Sequence, residues 1–177
     1  MLHTDSSSGR RGGPSGPPAG TLPSRKAVPR LRNFSYRGFH AYSLTLSTHQ
    51  RQHQFTAPDT VEPLRDLLLS TAAAHGFRVW AFCFMPDHLH TLLQRDRADA
   101  SLPAFLRNFK QRSSYVFRQG HGKTLWQRSY YDRVLRKDED IRAVSRYIFE
   151  NPVRKGVVKE FTSYPFSGPP ETLRALS

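Results

Sequence analysis

The stretch RVWAFCFMPDHLHTLLQ, residues 78–94, decides the fold. Its first part, residues 78–85, is a run of β-branched and aromatic residues, which predicts a strand. Pro86 and Asp87 then turn the chain. The short apolar segment at residues 88–94 predicts the next strand, so this stretch supplies two successive strands of a sheet.

The second of these strands carries two histidines, His88 and His90. Residues two apart in a strand point the same way, so both imidazoles leave one face while Leu89 enters the other. Two adjacent imidazoles can hold one divalent metal ion. The His-x-His spacing is common, however, and the same residues also fit ordinary polar positions beside a turn.

Strands and helices alternate on both sides of this stretch. Before it, the apolar spacing predicts a strand at residues 38–49 and a helix at 61–75. After it, the sequence predicts a helix at 102–119, a fourth strand at 125–135 and a third helix at 138–150.

Strand, helix, strand, strand, helix, strand is the split βαβ order of ferredoxin-like domains. We therefore expect an α+β sandwich with one antiparallel sheet and two helices on one face. An additional C-terminal helix follows and has to pack near the sheet. This helix carries Tyr147.

Length and composition limit the possibilities further. A chain of 177 residues fits one domain, which we place at residues 30–160, between a disordered basic Gly/Pro/Ser-rich tail at 1–29 and a C-terminal tail at 161–177. The single cysteine, Cys83, excludes an intramolecular disulfide and a four-cysteine zinc site. No apolar run is long enough for a membrane span, and no export signal is evident. We expect a cytoplasmic protein associated with the nucleoid.

The chain is strongly basic, with a formal net charge of +13 and a pI near 10.6. This charge favours a polyanionic partner, although many basic proteins merely carry a solvated basic face. Residues 102–136 hold eight basic residues against one acid, with aromatic residues between them. Cations for phosphates and rings for unpaired bases suit a surface that binds single-stranded nucleic acid. The candidate DNA-binding residues are Arg107, Lys110, Arg112, Arg118, Arg128, Arg133, Arg136 and Tyr130.

The last helix offers a second candidate site. Tyr147 and Asn151 are four residues apart and therefore lie on neighbouring turns of one helix face. Pro152 disfavours helical geometry at the residue before it, so Asn151 should stand at a frayed end with its amide free. Tyr147 also fits an aromatic residue at the edge of the core, and the histidines are what favour a functional role.

Four motifs together carry a resemblance to a known family: MPDHLHTLL (85–93), WQRSYYDRVLR (126–136), YIFENPVRKGVV (147–158) and YPFSG (164–168). In order and spacing they resemble the single-tyrosine transposases of the HUH superfamily, which have an IS200-like transposase domain. Within this superfamily they resemble especially the REP-associated tyrosine transposases. The resemblance extends over roughly residues 28–168.

The resemblance implies specific roles. By position, His88 and His90 would ligate the catalytic metal, Asn151 would complete the metal site, and Tyr147 would be the nucleophile. A divalent ion, Mg²⁺ or Mn²⁺, would polarise the scissile phosphate, and two nitrogen ligands favour Mn²⁺. Tyr147 would release a 3′-hydroxyl and stay joined to the 5′-phosphate of a single-stranded or hairpin (REP-like) DNA.

Other interpretations stay open. The same sheet suits a noncatalytic nucleic-acid binding module derived from a transposase, although all four candidate site residues are intact. A replication initiator or relaxase of the same superfamily usually places its nucleophile differently and often carries more domains. The sequence does not decide whether the protein acts as a monomer or a homodimer.

Overall fold

The computed structural model describes residues 40–135 and 140–176 as alternating strands and helices. In chain order the elements are β1 (Ala41–Ser47), α1 (Pro58–Ala74), β2 (Phe77–Met85), β3 (His88–Arg95), α2 (Leu102–His121), β4 (Tyr131–Val134), α3 (Ile141–Phe149), α4 (Asn151–Arg154), β5 (Ser167–Gly168) and α5 (Pro170–Leu176). Single turns of 3-10 helix lie at His49–Arg51 and Phe161–Ser163.

The strands form one five-stranded sheet in the order β4-β1-β3-β2-β5. Each pair of neighbours is antiparallel. The first four strands have the order of a ferredoxin-like sandwich, which confirms the predicted fold class. The strand pair quoted above lies at the centre: β2 and β3 pair from Met85 and His88 outward, with Pro86 and Asp87 as the turn.

Helices α1 and α2 cover one face of the sheet. Side chains of β1 that are two residues apart, Tyr42, Leu44 and Leu46, are buried against this helical layer. From α2, Phe105 and Phe109 enter the same cluster with stacked rings 5.9 Å apart. Burying such rings supplies much of the hydrophobic stabilisation of a domain of this size.

The opposite face is covered by the C-terminal part of the chain. There Cys83 and Leu92 of the sheet pack with Ile148 and Phe149 of α3 and with Tyr164. Because both faces are covered, every residue from Ala81 to Met85 is buried. This explains why β2 has an unbroken apolar run instead of an alternating pattern.

The fourth strand is shorter than the sequence predicted, since β4 begins only at Tyr131. Upstream, Trp126 forms an isolated bridge with Thr48 at the end of β1. Between these points the Lys110 Nζ donates to the carbonyls of Gln127 and Arg128, at 2.6 and 3.1 Å. The Gln127 N–H still donates to the Ser47 carbonyl of β1, and the α2 side chain binds the free side of this stretch through its carbonyls.

Residues 161–176 pack against the sheet, although the sequence pattern predicted a C-terminal tail at 161–177. Ser167 and Gly168 of β5 pair with Cys83 and Phe82 at the edge of β2. The Tyr164 hydroxyl donates to the Phe84 carbonyl at 2.7 Å. The predicted tail at residues 1–29 lies outside the described residues. In the described part of the chain, none of the helices combines the length and apolar character that a membrane span requires.

Candidate active site

His88 and His90 lie side by side on the face of β3 that α3 covers. Leu92, two residues further along, belongs to the cluster on that face, whereas Leu89 enters the α1/α2 side. The two imidazole rings meet at right angles with their centroids 4.6 Å apart, and their Nε2 atoms are 3.0 Å apart. Because side chains two residues apart leave a strand on the same face, the two Nε2 atoms come to lie next to each other.

The other ring nitrogen of each histidine has its own partner. His88 Nδ1 lies 2.5 Å from Asp87 Oδ1, and His90 Nδ1 lies 2.9 Å from Thr45 Oγ1. Thr45 is directly opposite His90 in the β1–β3 ladder. Such outer partners fix the orientation and tautomer of metal-ligating histidines and leave Nε2 for the metal.

The two Nε2 atoms, 3.0 Å apart, are close enough for one divalent ion to bind both. The described residues hold no group of three or more His, Cys, Asp or Glu side chains suited to a metal. Further donors would therefore be an amide oxygen, a phosphate or water.

Burial favours the neutral form of both imidazoles, which is the form that binds metals. Burial, reinforced by the charges of Arg154 and Arg51 and by any protonation of His88, lowers the pKa of His90 to about 3. Burial also lowers the pKa of His88, an effect that Asp87 opposes and that the charges of Arg51 and Lys155 reinforce. The positive charges of Arg51, Arg154 and Lys155 make the site electrostatically attractive to a phosphate.

Tyr147 on α3 shares a cleft with His90. The cleft has a volume of about 480 Å³ and is lined by Ser43, Thr45, His90, Tyr131, Arg133, Ala143, Val144, Tyr147 and Ile148. Tyr147 is 57% exposed, which argues against the interpretation as an aromatic residue packed at the edge of the core. Its neighbour Ile148 is buried against the sheet, whereas the Tyr147 side chain is exposed on the same helix.

The predicted frayed end at Asn151 is wrong, because α4 begins at this residue. Its Nδ2 donates to the carbonyls of Tyr147 and Ile148, both at 3.2 Å. A continuing helix would bond the Ile148 carbonyl through the N–H of residue 152, which Pro152 lacks. The Asn151 amide replaces that donor, and its Oδ1 is the atom with which it can bind a cation. Asn151 is buried and is not among the residues that line the cleft.

Arg154 is a neighbour of Tyr147 that the sequence analysis missed. Its Cζ lies 3.9 Å from the centroid of the Tyr147 ring, and its guanidinium also donates to the Tyr147 carbonyl. A helical spacing of seven residues, two turns, could have revealed this proximity. Thr45 was likewise missed, and Asp87, assigned mainly to shaping the turn, proves to be the partner of His88.

The candidate DNA-binding residues are divided between the two layers of the fold. Arg133 lines the cleft. The four candidates on α2, namely Arg107, Lys110, Arg112 and Arg118, belong to the opposite layer. Tyr130 packs against the α1/α2 cluster, while its neighbour Tyr131 lines the cleft. Arg128 is exposed, and Arg136 lies outside the described residues.

Comparison with known proteins identifies the family of this chain. Residues 39–151 match the family described as "Transposase IS200 like". A Haemophilus influenzae protein designated a candidate REP-associated tyrosine transposase is 24% identical over 151 residues, 77% of this chain and 82% of the relative. The REP-associated tyrosine transposase of Escherichia coli K12 is 24% identical over 123 residues, 70% of this chain and 72% of the relative.

A solved structure has the same fold. It is a REP-associated tyrosine transposase bound to a REP hairpin, with a TM-score of 0.68 and 24% identity over 85% of this chain and 88% of that chain. The family match covers well over half of the present chain, including both histidines, Tyr147 and Asn151. The chain therefore belongs to the IS200-like transposase family.

Proposed function

We propose that this protein is a metal-dependent endonuclease and strand transferase for single-stranded DNA that forms a 5′-phosphotyrosine at Tyr147. The observation that carries the proposal is the shared cleft of His90 and Tyr147, with the Nε2 atoms of His88 and His90 3.0 Å apart. His90 and the exposed Tyr147 thus border one cleft, and His88 lies beside His90, which supports a nucleophile acting next to a metal site.

In the proposed reaction the Tyr147 oxygen attacks phosphorus, and the bond from phosphorus to the 3′ oxygen breaks. The phenolic proton passes, in net terms, to the 3′ oxygen, which leaves as a hydroxyl. One phosphodiester replaces another, so a second 3′-hydroxyl can reverse the step. The reaction is therefore cleavage with rejoining and not hydrolysis.

A bound Mg²⁺ or Mn²⁺ would neutralise charge on the scissile phosphate. His88 and His90 would hold it through Nε2 and Asn151 through Oδ1. Asp87 and Thr45 keep the two imidazoles oriented. Burial and the surrounding cations keep them unprotonated, so that protons compete little for the nitrogens near neutral pH.

The relatives support hairpin DNA as the substrate. One similar structure holds a REP hairpin, and two relatives are named after REP association. We propose that this chain likewise acts on a hairpin of repeated extragenic DNA, cutting the single strand beside the stem. The net charge of +13 and the cationic surroundings of the histidines suit such a polyanion.

The test is to incubate purified protein with end-labelled single-stranded hairpins from the source genome and Mn²⁺, then to separate the products by denaturing electrophoresis. We expect a protein-linked DNA band that disappears in Tyr147→Phe and His88→Ala. Tyr115→Phe is the matched control, because Tyr115 is also exposed but lies on α2 in the other layer. Tight, salt-dependent binding without a covalent band, across several hairpins and metals, would instead support a noncatalytic binding module.

A further inference from the structure

Tyr147 requires a contact that restrains the position of its ring. The side chain is 57% exposed on the outer part of α3, where a tyrosine can change rotamer freely. In-line attack, however, requires the phenol oxygen to stay within a narrow range of positions, and a misplacement of about 1 Å can cost about 100-fold in rate. Packing against the sheet does not supply this restraint, since that side of α3 is occupied by Ile148.

Arg154 is placed to supply the restraint. Its guanidinium lies over the face of the Tyr147 ring, with Cζ 3.9 Å from the centroid. This is within the range of a favourable cation–π contact. The same guanidinium donates to the Tyr147 carbonyl, so it is tied to both the backbone and the ring of one residue.

Arg154 is itself held in place. Its Nη1 lies 3.2 Å from Glu150 Oε2, one helical turn earlier. Glu150 joins α3 to α4 with right-handed helical backbone angles, so residues 147, 150 and 154 lie on one side. Resting on the proposed function, we propose that Arg154 is a positioning residue that clamps the Tyr147 ring for attack on the scissile phosphate.

The clamp requires the chemistry of arginine. A planar guanidinium can stack on a ring and still direct N–H donors to a carbonyl and a carboxylate in its own plane. A lysine ammonium keeps the charge but is a point donor on a flexible stem, so it cannot make these contacts together. Lysine at position 154 is therefore expected to restore charge without restoring position.

Arg146 provides a matched control on the same helix. It pairs with the same carboxylate, with Nη1 4.0 Å from Glu150 Oε1. It also lies over an aromatic ring, that of Phe161, at 5.9 Å from the centroid. It differs from Arg154 in that its ring contact is with Phe161 and not with Tyr147. Replacing either arginine removes one charge and one partner of Glu150.

The experiment measures covalent adduct formation in single turnover at saturating hairpin DNA and Mn²⁺, together with DNA affinity, for wild type, Arg154→Ala, Arg154→Lys and Arg146→Ala. We expect both Arg154 variants to slow adduct formation by about 10- to 100-fold. Arg154→Lys keeps the positive charge beside the site, so its DNA affinity should stay close to wild type, and saturating DNA removes any effect of weaker binding by Arg154→Ala. The thermal unfolding midpoint of both variants should stay close to wild type. Arg146→Ala should keep the wild-type rate. Added guanidinium ion, at concentrations well below denaturing, should speed Arg154→Ala but not wild type.

Three results would overturn the clamp. A wild-type rate in Arg154→Ala would show that Tyr147 needs no clamp. A full rate in Arg154→Lys would show that charge alone matters, and an equal loss in Arg146→Ala would show a general effect on the helix. In each of these cases wild type still forms the adduct. Absence of adduct in wild type itself would instead overturn the proposed function, and the clamp with it.

Discussion

Thr45 and His90 face each other across the β1–β3 ladder, with Thr45 Oγ1 2.9 Å from His90 Nδ1. When Nε2 of His90 binds a metal, Nδ1 carries the proton and the hydroxyl accepts it. Thr45→Val removes this acceptor at nearly constant volume. We expect the affinity for Mn²⁺ to fall about 10-fold, measured by titration of free Mn²⁺ with electron paramagnetic resonance.

The chain contains a matched pair of residues for the control. Thr60 Oγ1 lies 3.2 Å from His121 Nε2, in the α1/α2 layer away from the cleft. Thr60→Val removes the same kind of hydrogen bond and should leave Mn²⁺ affinity unchanged. Equal affinities for wild type and Thr45→Val would show that Thr45 does not orient a ligand.

Asp87 should matter more than its position in a turn suggests. Its carboxylate accepts from His88 Nδ1 and from Arg51 Nη1, at 2.5 and 3.2 Å. Asp87→Asn weakens the acceptor for His88 while keeping the shape of the side chain. We expect Mn²⁺ affinity and the rate of adduct formation to fall by about 10- to 100-fold, with hairpin binding retained.

The control for this substitution is Asp66→Asn. Asp66 also pairs with an arginine, Arg65 at 3.0 Å, but this ion pair is exposed on α1. Its loss should change neither metal affinity nor adduct formation. If Asp87→Asn behaves like Asp66→Asn, the carboxylate acts only in the turn.

Much of this arrangement follows from local patterns in the sequence. Alternation along residues 88–94 predicts that His88 and His90 share a face, because strand geometry has a period of two. The turn at Pro86 and Asp87 predicts that β2 and β3 are neighbours in the sheet, and the two strands do pair. Helical spacing predicts that Tyr147 and Asn151 are neighbours, and Asn151 Nδ2 indeed bonds the Tyr147 carbonyl.

Contacts between distant segments were not predictable in this way. No local pattern shows that Lys110 of α2 reaches the carbonyls of Gln127 and Arg128, just before β4 begins. The basic residues of α2 look continuous with Arg133 in sequence, yet the sheet separates them into two layers. The prediction of a frayed helix end at Asn151 considered only that the residue before a proline disfavours helical geometry. It did not consider that the Asn151 side chain itself donates a hydrogen bond in place of the N–H that Pro152 lacks.

Folding stability should depend on pH through the histidine pair. Burial and neighbouring charge lower the pKa of His90 to about 3, and burial lowers that of His88 as well. The unfolded chain binds a proton at His90 near pH 6.5, whereas the folded chain does not. As pH falls below about 6.5, the free energy of unfolding should therefore decrease, by up to about 1.4 kcal/mol per pH unit for His90, and His88 acts in the same direction.

His90→Asn tests this dependence. With one fewer group to protonate on unfolding, the variant should lose less stability than wild type between about pH 7 and pH 5. The measurement is urea denaturation at several pH values in the presence of a chelator. Parallel curves for the two proteins would contradict a lowered pKa at His90.

The C-terminal strand should contribute to stability through Gly168. A Cβ at this position would lie 2.6 Å from Cζ of Phe82, a buried residue of β2. Gly168→Ala should therefore lower the free energy of unfolding by about 1–3 kcal/mol, since well-packed interiors resist added methyl groups.

Gly120→Ala is the control. Gly120 lies in α2, and a Cβ added there would meet no described atom within 4 Å apart from its chain neighbours and the backbone of its own helix. There alanine should stabilise, by up to about 1 kcal/mol. Urea denaturation of both variants measures the contrast, and equal effects would contradict close packing of β5 on β2.

Asn151 combines a structural donor with a proposed ligand, and two substitutions separate these roles. Asn151→Asp keeps an oxygen that can bind a cation but loses the Nδ2 donor to the Tyr147 and Ile148 carbonyls. Asn151→Ala loses both. We expect each to lower the free energy of unfolding by about 1–3 kcal/mol, because buried carbonyls lose a partner. In Mn²⁺ titrations under folding conditions, the aspartate variant should bind the ion and the alanine variant should bind it far more weakly. Wild-type affinity in Asn151→Ala would show that His88 and His90 hold the metal without this residue.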